Sequence, residues 1–310
     1  MPKKTPKNPA DFIAPLNING LNGRMLRMPP PKGVAKEILF VYGHHSSLER
    51  WWGLTQVMNR YAGVTMPDLP GFGNMDSFYK IGKKPTIDNL ADYLAAFIKM
   101  RYKRKKVTIV GMSFGFVVAT RMLQRYPELT KKVDMLASIA GFSHKDDFVF
   151  SKPRWLFYRY TTAFFQHRIP ALFFRYVVLN PVLLKIAYRR THNAKHKFTS
   201  VLEEEIKEIT EVEIRLWHEN DVRTYMKTSV EFLTLNNCDR RVDLPVYHVS
   251  IEADRYFDPH IVEQHLRVIF NDYELLTTLK VGNHAPSIIA DAKAAAPYFP
   301  PKLRRLLTKK

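Results

Sequence analysis

Apolar residues along this chain arrive in two rhythms. Ile38-Leu39-Phe40-Val41-Tyr42 and Val107-Thr108-Ile109-Val110 are nearly unbroken runs, and further runs lie over 133–140, 245–251 and 274–281. Short apolar runs bounded by turn residues read as strands covered on both faces. Another short strand is expected to end near Met66. The second rhythm is helical. Ile87, Leu90, Tyr93, Leu94 and Phe97 share one face over 87–99, Asp88, Asn89 and Asp92 fall on the other, and Thr86 can cap the start. Helices are also predicted over 116–124, 259–269 and 286–295. Two Asn-Gly pairs, Asn19-Gly20 and Asn22-Gly23, predict a hairpin within 16–29. Strands alternating with helices predict an α/β fold, a mostly parallel central sheet with helices on both faces.

The alternation stops after 133–140. Residues 144–236 read as several helices without a strand, one of them opened by Glu203-Glu204-Glu205, whose charges suit a helix N-terminus. The core therefore spans 16–143 and 237–310, and the helical block 144–236 sits above it as an inserted cap. Residues 1–15 open with Met1-Pro-Lys-Lys-Thr-Pro-Lys and read as a basic, disordered arm with no apolar run behind it of the kind a secretory signal carries. The most apolar stretch, 171–188, is short and interrupted by Arg175, Asn180, Pro181 and Lys185, which argues against a membrane span.

Chemistry enters with Gly111-Met112-Ser113-Phe114-Gly115, placed where the strand expected over 106–110 runs into a helix. Glycines two before and two after a serine free a sharp strand-to-helix bend that exposes its hydroxyl, the geometry of a nucleophile elbow. A serine needs a base to take its proton, and the base needs an acid to orient it. In chain order serine, acid, histidine, the candidates follow two late strands: Asp254, in Glu252-Ala253-Asp254-Arg255-Tyr256-Phe257-Asp258, and His284, in Val281-Gly282-Asn283-His284-Ala285. Asp258 and Glu252 share the acid's loop, and Asp146 and Asp147 follow an earlier strand, so they stand as alternatives. Oxyanion donors are expected from the backbone N–H of Phe114 and of His44, the latter in the loop Gly43-His44-His45-Ser46-Ser47. The paired histidines lack metal-ligand spacing, so no metal or other cofactor is expected.

Composition changes this picture at two points. A lone cysteine, Cys238, rules out an internal disulfide and points to a reducing, cytoplasmic setting. The formal net charge of +19 favours acidic partners. Its placement is informative: residues 151–200 hold ten Lys or Arg, eleven aromatics and no Asp or Glu. A cationic aromatic segment suits peripheral contact with an anionic membrane, and it equally suits a solvated basic face over an aromatic core. No nucleic-acid motif accompanies the charge, so nucleic acid is not expected as a partner.

Together these pieces resemble the α/β-hydrolase superfamily, in the branch with a helical cap inserted after the sixth strand. The matching segments are Tyr42-Gly43-His44, Asp68-Leu69-Pro70-Gly71-Phe72-Gly73, Gly111–Gly115, Asp254 and His284, within about 36–295. One departure is Tyr42, where the family has a histidine. The resemblance implies a serine hydrolase cleaving a carboxylic ester through an acyl-serine. The aromatic cap points to an apolar or lipid-like acyl chain. Acyl transfer, thioester hydrolysis and carbon–carbon bond hydrolysis use the same triad. A reading of another class is a membrane-surface binding protein with a residual triad.

Overall fold

The computed structural model describes residues 8–180, 183 and 200–308. An eight-stranded sheet runs in the order β1-β2-β4-β3-β5-β6-β7-β8. Its strands are β1 (Ile13–Ile18), β2 (Leu21–Met28), β3 (Glu37–Val41), β4 (Gly63–Pro67), β5 (Val107–Met112), β6 (Val133–Ile139), β7 (Val246–Ile251) and β8 (Tyr273–Leu279). The six from β4 to β8 pair in parallel, whereas β1 and β2 pair antiparallel at one edge. Every residue of β4 and β5 is buried, which is why these strands carry no polar alternation.

The hairpin joining β1 and β2 turns at Asn19 and Gly20, both with positive φ (51° and 80°), as the tight turn that matches strand twist requires. Asn22-Gly23 lies within β2 instead. Order begins earlier than the sequence reading places it. Pro9–Phe12 is a 3₁₀ turn capped by Asn8, and Ile13–Ile18 is a strand, so residues 8–15 are part of the fold. Pairing with β2 and packing of Phe12 on Trp52 hold this segment. Pro15 is tolerated because β1 is an edge strand. Met1–Lys7 lies outside the described residues.

Helices α1 (Trp52–Asn59), α2 (Ile87–Arg101) and α3 (Phe114–Arg125) flank the sheet. Thr86 Oγ1 accepts from Asn89 N at 3.1 Å and caps α2. The predicted helix over 286–295 shrinks to Ala292–Ala295. Residues before it form a turn, Ala290 N donating to the Ser287 carbonyl at 3.0 Å, and lie so close to α1 that a β-carbon on Gly53 would overlap the carbonyl of Ala290.

The insertion begins and ends on an isolated antiparallel bridge between His144 and Asn236. Its first residues stay with the core: Phe148 bridges to Phe257, and Asp258 N donates to the Asp147 carbonyl at 2.8 Å. The helices that follow are α4 (Lys152–Phe165), α5 (Arg168–Phe173) with a π-turn over Phe174–Val178, α6 (Ser200–Glu219) and α7 (Val222–Leu233). They bury a small cluster of their own, Ala171, Leu179, Val222 and Met226. Among the described residues no helix is long and apolar enough to cross a membrane. Lys185, Tyr188, Arg189, Arg190, Lys195, Lys197 and Phe198 of the basic aromatic segment lie outside the described residues.

Candidate active site

The site assembles at the carboxyl ends of the parallel strands, where an open α/β sheet offers its loops. Ser113 sits between β5 and α3 with φ 50° and ψ −118°, a conformation few non-glycine residues adopt. Such strain costs about 1–3 kcal/mol and persists only where the surroundings enforce it. The enforcement is visible. Ser113 N donates to the Ile139 carbonyl, and its own carbonyl accepts from Phe116 N, both at 3.0 Å. A β-carbon at Gly111 would stand 2.5 Å from Phe116 Cα, and one at Gly115 would overlap the Val41 carbonyl. Both glycines are thus needed for close approach of backbone, in addition to any freedom of φ.

His284, after β8, places Nε2 2.8 Å from Ser113 Oγ. Its Nδ1 lies 2.5 Å from Asp254 Oδ2. Asp254 Oδ1 is engaged separately, accepting from Tyr256 N at 2.8 Å and Phe257 N at 3.4 Å. The rings of Tyr256 and Phe257 each stand 5.4 Å from that of His284 and confine it. The structure therefore brings Ser113, His284 and Asp254 into one hydrogen-bonded chain.

The other acids are occupied elsewhere. Asp258 caps α8 (Pro259–Ile269), accepting from His260 N and Ile261 N. Asp147, fully buried, takes His265 Nδ1 on one oxygen and the N–H groups of Ser143 and His144 on the other. Asp146 lies beside the His144 ring, and Glu252 is exposed.

Phe114 opens α3, so its N–H has no carbonyl one turn back to meet. Gly43 and His44 line the same cavity as Ser113. The His44 ring is packed among Phe72, Phe114, Tyr225 and Phe232. Thr228 Oγ1 gives its proton to the Thr224 carbonyl, so it accepts from His44 Nε2–H at 2.7 Å. Burial, then the neighbouring His45, lowers the His44 pKa to about 3, and the ring stays neutral. Tyr42, the departure from the family pattern, points away from Ser113. Its hydroxyl donates to buried Asp68 (2.9 Å) and accepts from Leu69 N (2.7 Å). It ties the loop after β3 to the loop after β4.

The cavity over Ser113 holds about 490 Å³. Phe114, Phe142, Phe148, Phe232 and Phe257 wall one part, and Tyr158 and Thr162 of α4 close it from the cap. Arg50, Arg255, Tyr256 and Asn283 also line it. Sequence reasoning missed Arg50. It sits in a single 3₁₀ turn, Glu49–Trp51, between a loop and a helix, where neither periodicity nor motif marks it. Among the described residues no three His, Cys, Asp or Glu side chains converge as a metal-ligand set.

A family model described as alpha/beta hydrolase fold matches residues 36–272. The chain belongs to the alpha/beta hydrolase fold family. No curated protein matches it by sequence. Solved structures resemble it in fold. An enol-lactonase from Burkholderia xenovorans superposes with TM-score 0.62 at 14% identity, covering 92% of this chain and 96% of its own. A thermophilic esterase from Thermogutta terrifontis, with malate bound, gives 0.58 at 14% identity, covering 95% and 94%. A hydrolase from Oleispira antarctica gives 0.64 at 11% identity, covering 92% and 94%. In this alpha/beta hydrolase, as at such identities generally, the likeness speaks for fold. The elbow serine, the late histidine and the acid stand on the geometry above.

Proposed function

We propose that this alpha/beta hydrolase is a serine esterase that cleaves a carboxylic ester through an acyl-serine. The observation that carries the reading is the chain from Ser113 Oγ through His284 to Asp254, opening on an aromatic-walled cavity. Ser113 Oγ attacks the ester carbonyl as its proton passes to His284 Nε2. Asp254 holds Nδ1–H and stabilises the imidazolium that forms. The backbone N–H groups of Phe114 and His44 receive the oxyanion. Collapse expels the alcohol with the proton from His284. A water, deprotonated by the same nitrogen, then releases the acid and restores Ser113. The phenylalanine wall favours an apolar acyl or aryl portion. Solved structures of like fold include an esterase and a lactonase, which is in keeping with ester bonds as targets.

A fluorophosphonate probe tests the reading. It should label Ser113 in the wild type and fail on Ser113→Ala, whose p-nitrophenyl ester hydrolysis should fall by about 10⁴–10⁶. Equal labelling and turnover by the two proteins would overturn it.

A further reading concerns where the enzyme works. In the cap, Ile169 is 80% exposed, Tyr176 70%, Tyr160 67% and Phe157 65%, beside Arg159, Arg168 and Arg175. Exposed aromatic and aliphatic side chains among cations favour seating on an anionic lipid surface. α4 carries part of this patch and also lines the cavity through Tyr158 and Thr162. Seating there would bring the cavity close to lipid.

A further inference from the structure

The cavity over Ser113 is not uniformly apolar. Arg50 lines it, with its guanidinium carbon 4.5 Å from the centre of the Trp51 ring. Its Nη1 is buried and has no hydrogen-bond partner. Among the described residues no carboxylate pairs with it within 4.0 Å. The acid whose charge it feels is Glu213, which faces His45 Nε2 at 3.8 Å, and the Tyr298 and Tyr256 hydroxyls are near enough to act on it as well. No Asp or Glu lines the cavity, whereas exposed Arg255 adds a second cation to the lining.

Arginine presents planar N–H groups in a fork that fits a carboxylate, and stacking on an aromatic face fixes the direction of the fork. A buried charged donor without an acceptor is costly and calls for a water, an ion or a ligand to complete it; Arg50 is set apart from the other such arginines by lining the cavity. The tryptophan holds Arg50 in place while one of its nitrogens goes unmet. Much of the remaining lining is apolar: Phe114, Phe142, Phe148, Phe232 and Phe257. A neutral lipid ester would leave Arg50 as it stands.

We propose that Arg50, with Arg255 also in the lining, selects esters that carry a carboxylate away from the scissile bond, so that the substrate is an amphipathic acid ester. This rests on the esterase reading and names its substrate class. The apolar part lies on the phenylalanine wall, the carboxylate meets the Arg50 fork, and the ester carbonyl comes between them at Ser113.

Two pairs of esters test it by pH-stat. Monoethyl adipate against diethyl adipate places the acid on the acyl side. 4-Acetoxybenzoate against its methyl ester places it on the leaving-group side. In at least one pair kcat/KM should favour the acid by about tenfold to a hundredfold, the usual worth of a hydrogen bond to a charged group. Arg50→Met should abolish that preference mainly through KM, and Arg50→Lys should keep part of it. Circular dichroism melts establish that the variants fold, and the wild-type preference decides the matter if they do not. Calorimetry on Ser113→Ala gives a readout without turnover. Adipate should bind saturably, adipamide should not, and adding Arg50→Met should remove adipate binding.

Equal or better turnover of the neutral esters in both pairs, or adipate bound no better than adipamide, overturns the proposal. Ester turnover without acid preference removes the carboxylate site and leaves the esterase reading standing. Arg50-dependent adipate binding with every ester inert does the reverse.

Discussion

Replacing Asp254 by asparagine should harm catalysis through a tautomer as well as through lost charge. Asp254 Oδ1 accepts from two backbone donors, Tyr256 N and Phe257 N, while Oδ2 takes His284 Nδ1 at 2.5 Å. An asparagine has one oxygen to give. With the oxygen toward the two backbone N–H groups, its NH₂ faces Nδ1. Turned the other way, it would set NH₂ against those two donors, at about 1–3 kcal/mol for each group left unmet. The first orientation wins. Nδ1 must then accept, the proton moves to Nε2, and His284 presents a donor to Ser113 Oγ at 2.8 Å. It can no longer take the serine proton. The charge that stabilised the imidazolium is lost as well. The expected fall in kcat for Asp254→Asn is about 10⁴, or ~5 kcal/mol at 1.36 per decade. Asp254→Ala frees His284 to take either tautomer and should lose about tenfold less. Steady-state hydrolysis of p-nitrophenyl butyrate by the three proteins measures this. Melting temperature serves as the control, since the asparagine keeps the backbone hydrogen bonds. If Asp254→Asn keeps more than a tenth of wild-type kcat, or outperforms Asp254→Ala, the assigned orientation of the acid is wrong.

Two more outcomes follow from groups outside the reaction. His248 is buried beside Ser138 Oγ, and burial lowers its pKa to about 4. A histidine held neutral in the fold has no effect above the unfolded value of about 6.5. As pH falls below that, the unfolded chain takes up the proton first, so stability drops until about pH 4. At pH 5 the loss from this one residue is about 2 kcal/mol. Urea titrations at pH 7.5 and pH 5 should show that loss shrinking by a similar amount in His248→Asn; an unchanged pH difference would refute the assignment. For the cap, wild-type protein should sediment with phosphatidylglycerol vesicles, less so in high salt. Arg159, Arg168 and Arg175 changed together to Glu should weaken binding by at least a hundredfold, at about 1 kcal/mol for each cation near the surface. Recovery in the supernatant regardless of vesicles would eliminate the membrane reading.

The sheet was legible because its central strands carry their burial in their composition. β5 is buried from Val107 through Met112, and nothing else in the chain competes for that reading. The elbow was legible because a strand, two glycines and a helix all bear on one serine. The acid left alternatives open because a loop of carboxylates looks alike until backbone donors are assigned. Asp258 caps a helix, which the following Pro259 hints at but spacing alone does not decide. The 286–295 helix failed for a tertiary reason, the docking of residues 290–291 against Gly53. The early start of β1 was hidden by the basic residues before it and by Pro15, which is compatible with an edge strand alone.

Tyr42, the departure from the family pattern, belongs to a buried polar network. Its hydroxyl links Asp68 and Leu69, Tyr93 OH donates to the Asp68 carbonyl at 2.9 Å, and Arg24 Nε reaches Asp68 Oδ2 at 3.2 Å. Arg24 also meets Glu49 at 2.7 Å. Asp68 is fully buried, so any one partner removed would leave charge or donors unmet. This network anchors both ends of the segment from Tyr42 to Glu49. Between those anchors lies His44, whose N–H the proposed chemistry asks to receive an oxyanion, and immediately after them lies Arg50, proposed to hold a carboxylate. On the proposed chemistry, positioning of the reacting carbonyl and of the remote acid would both depend on one polar cluster that touches neither. A substrate spanning both would be held at two points of a single loop tied down at each end.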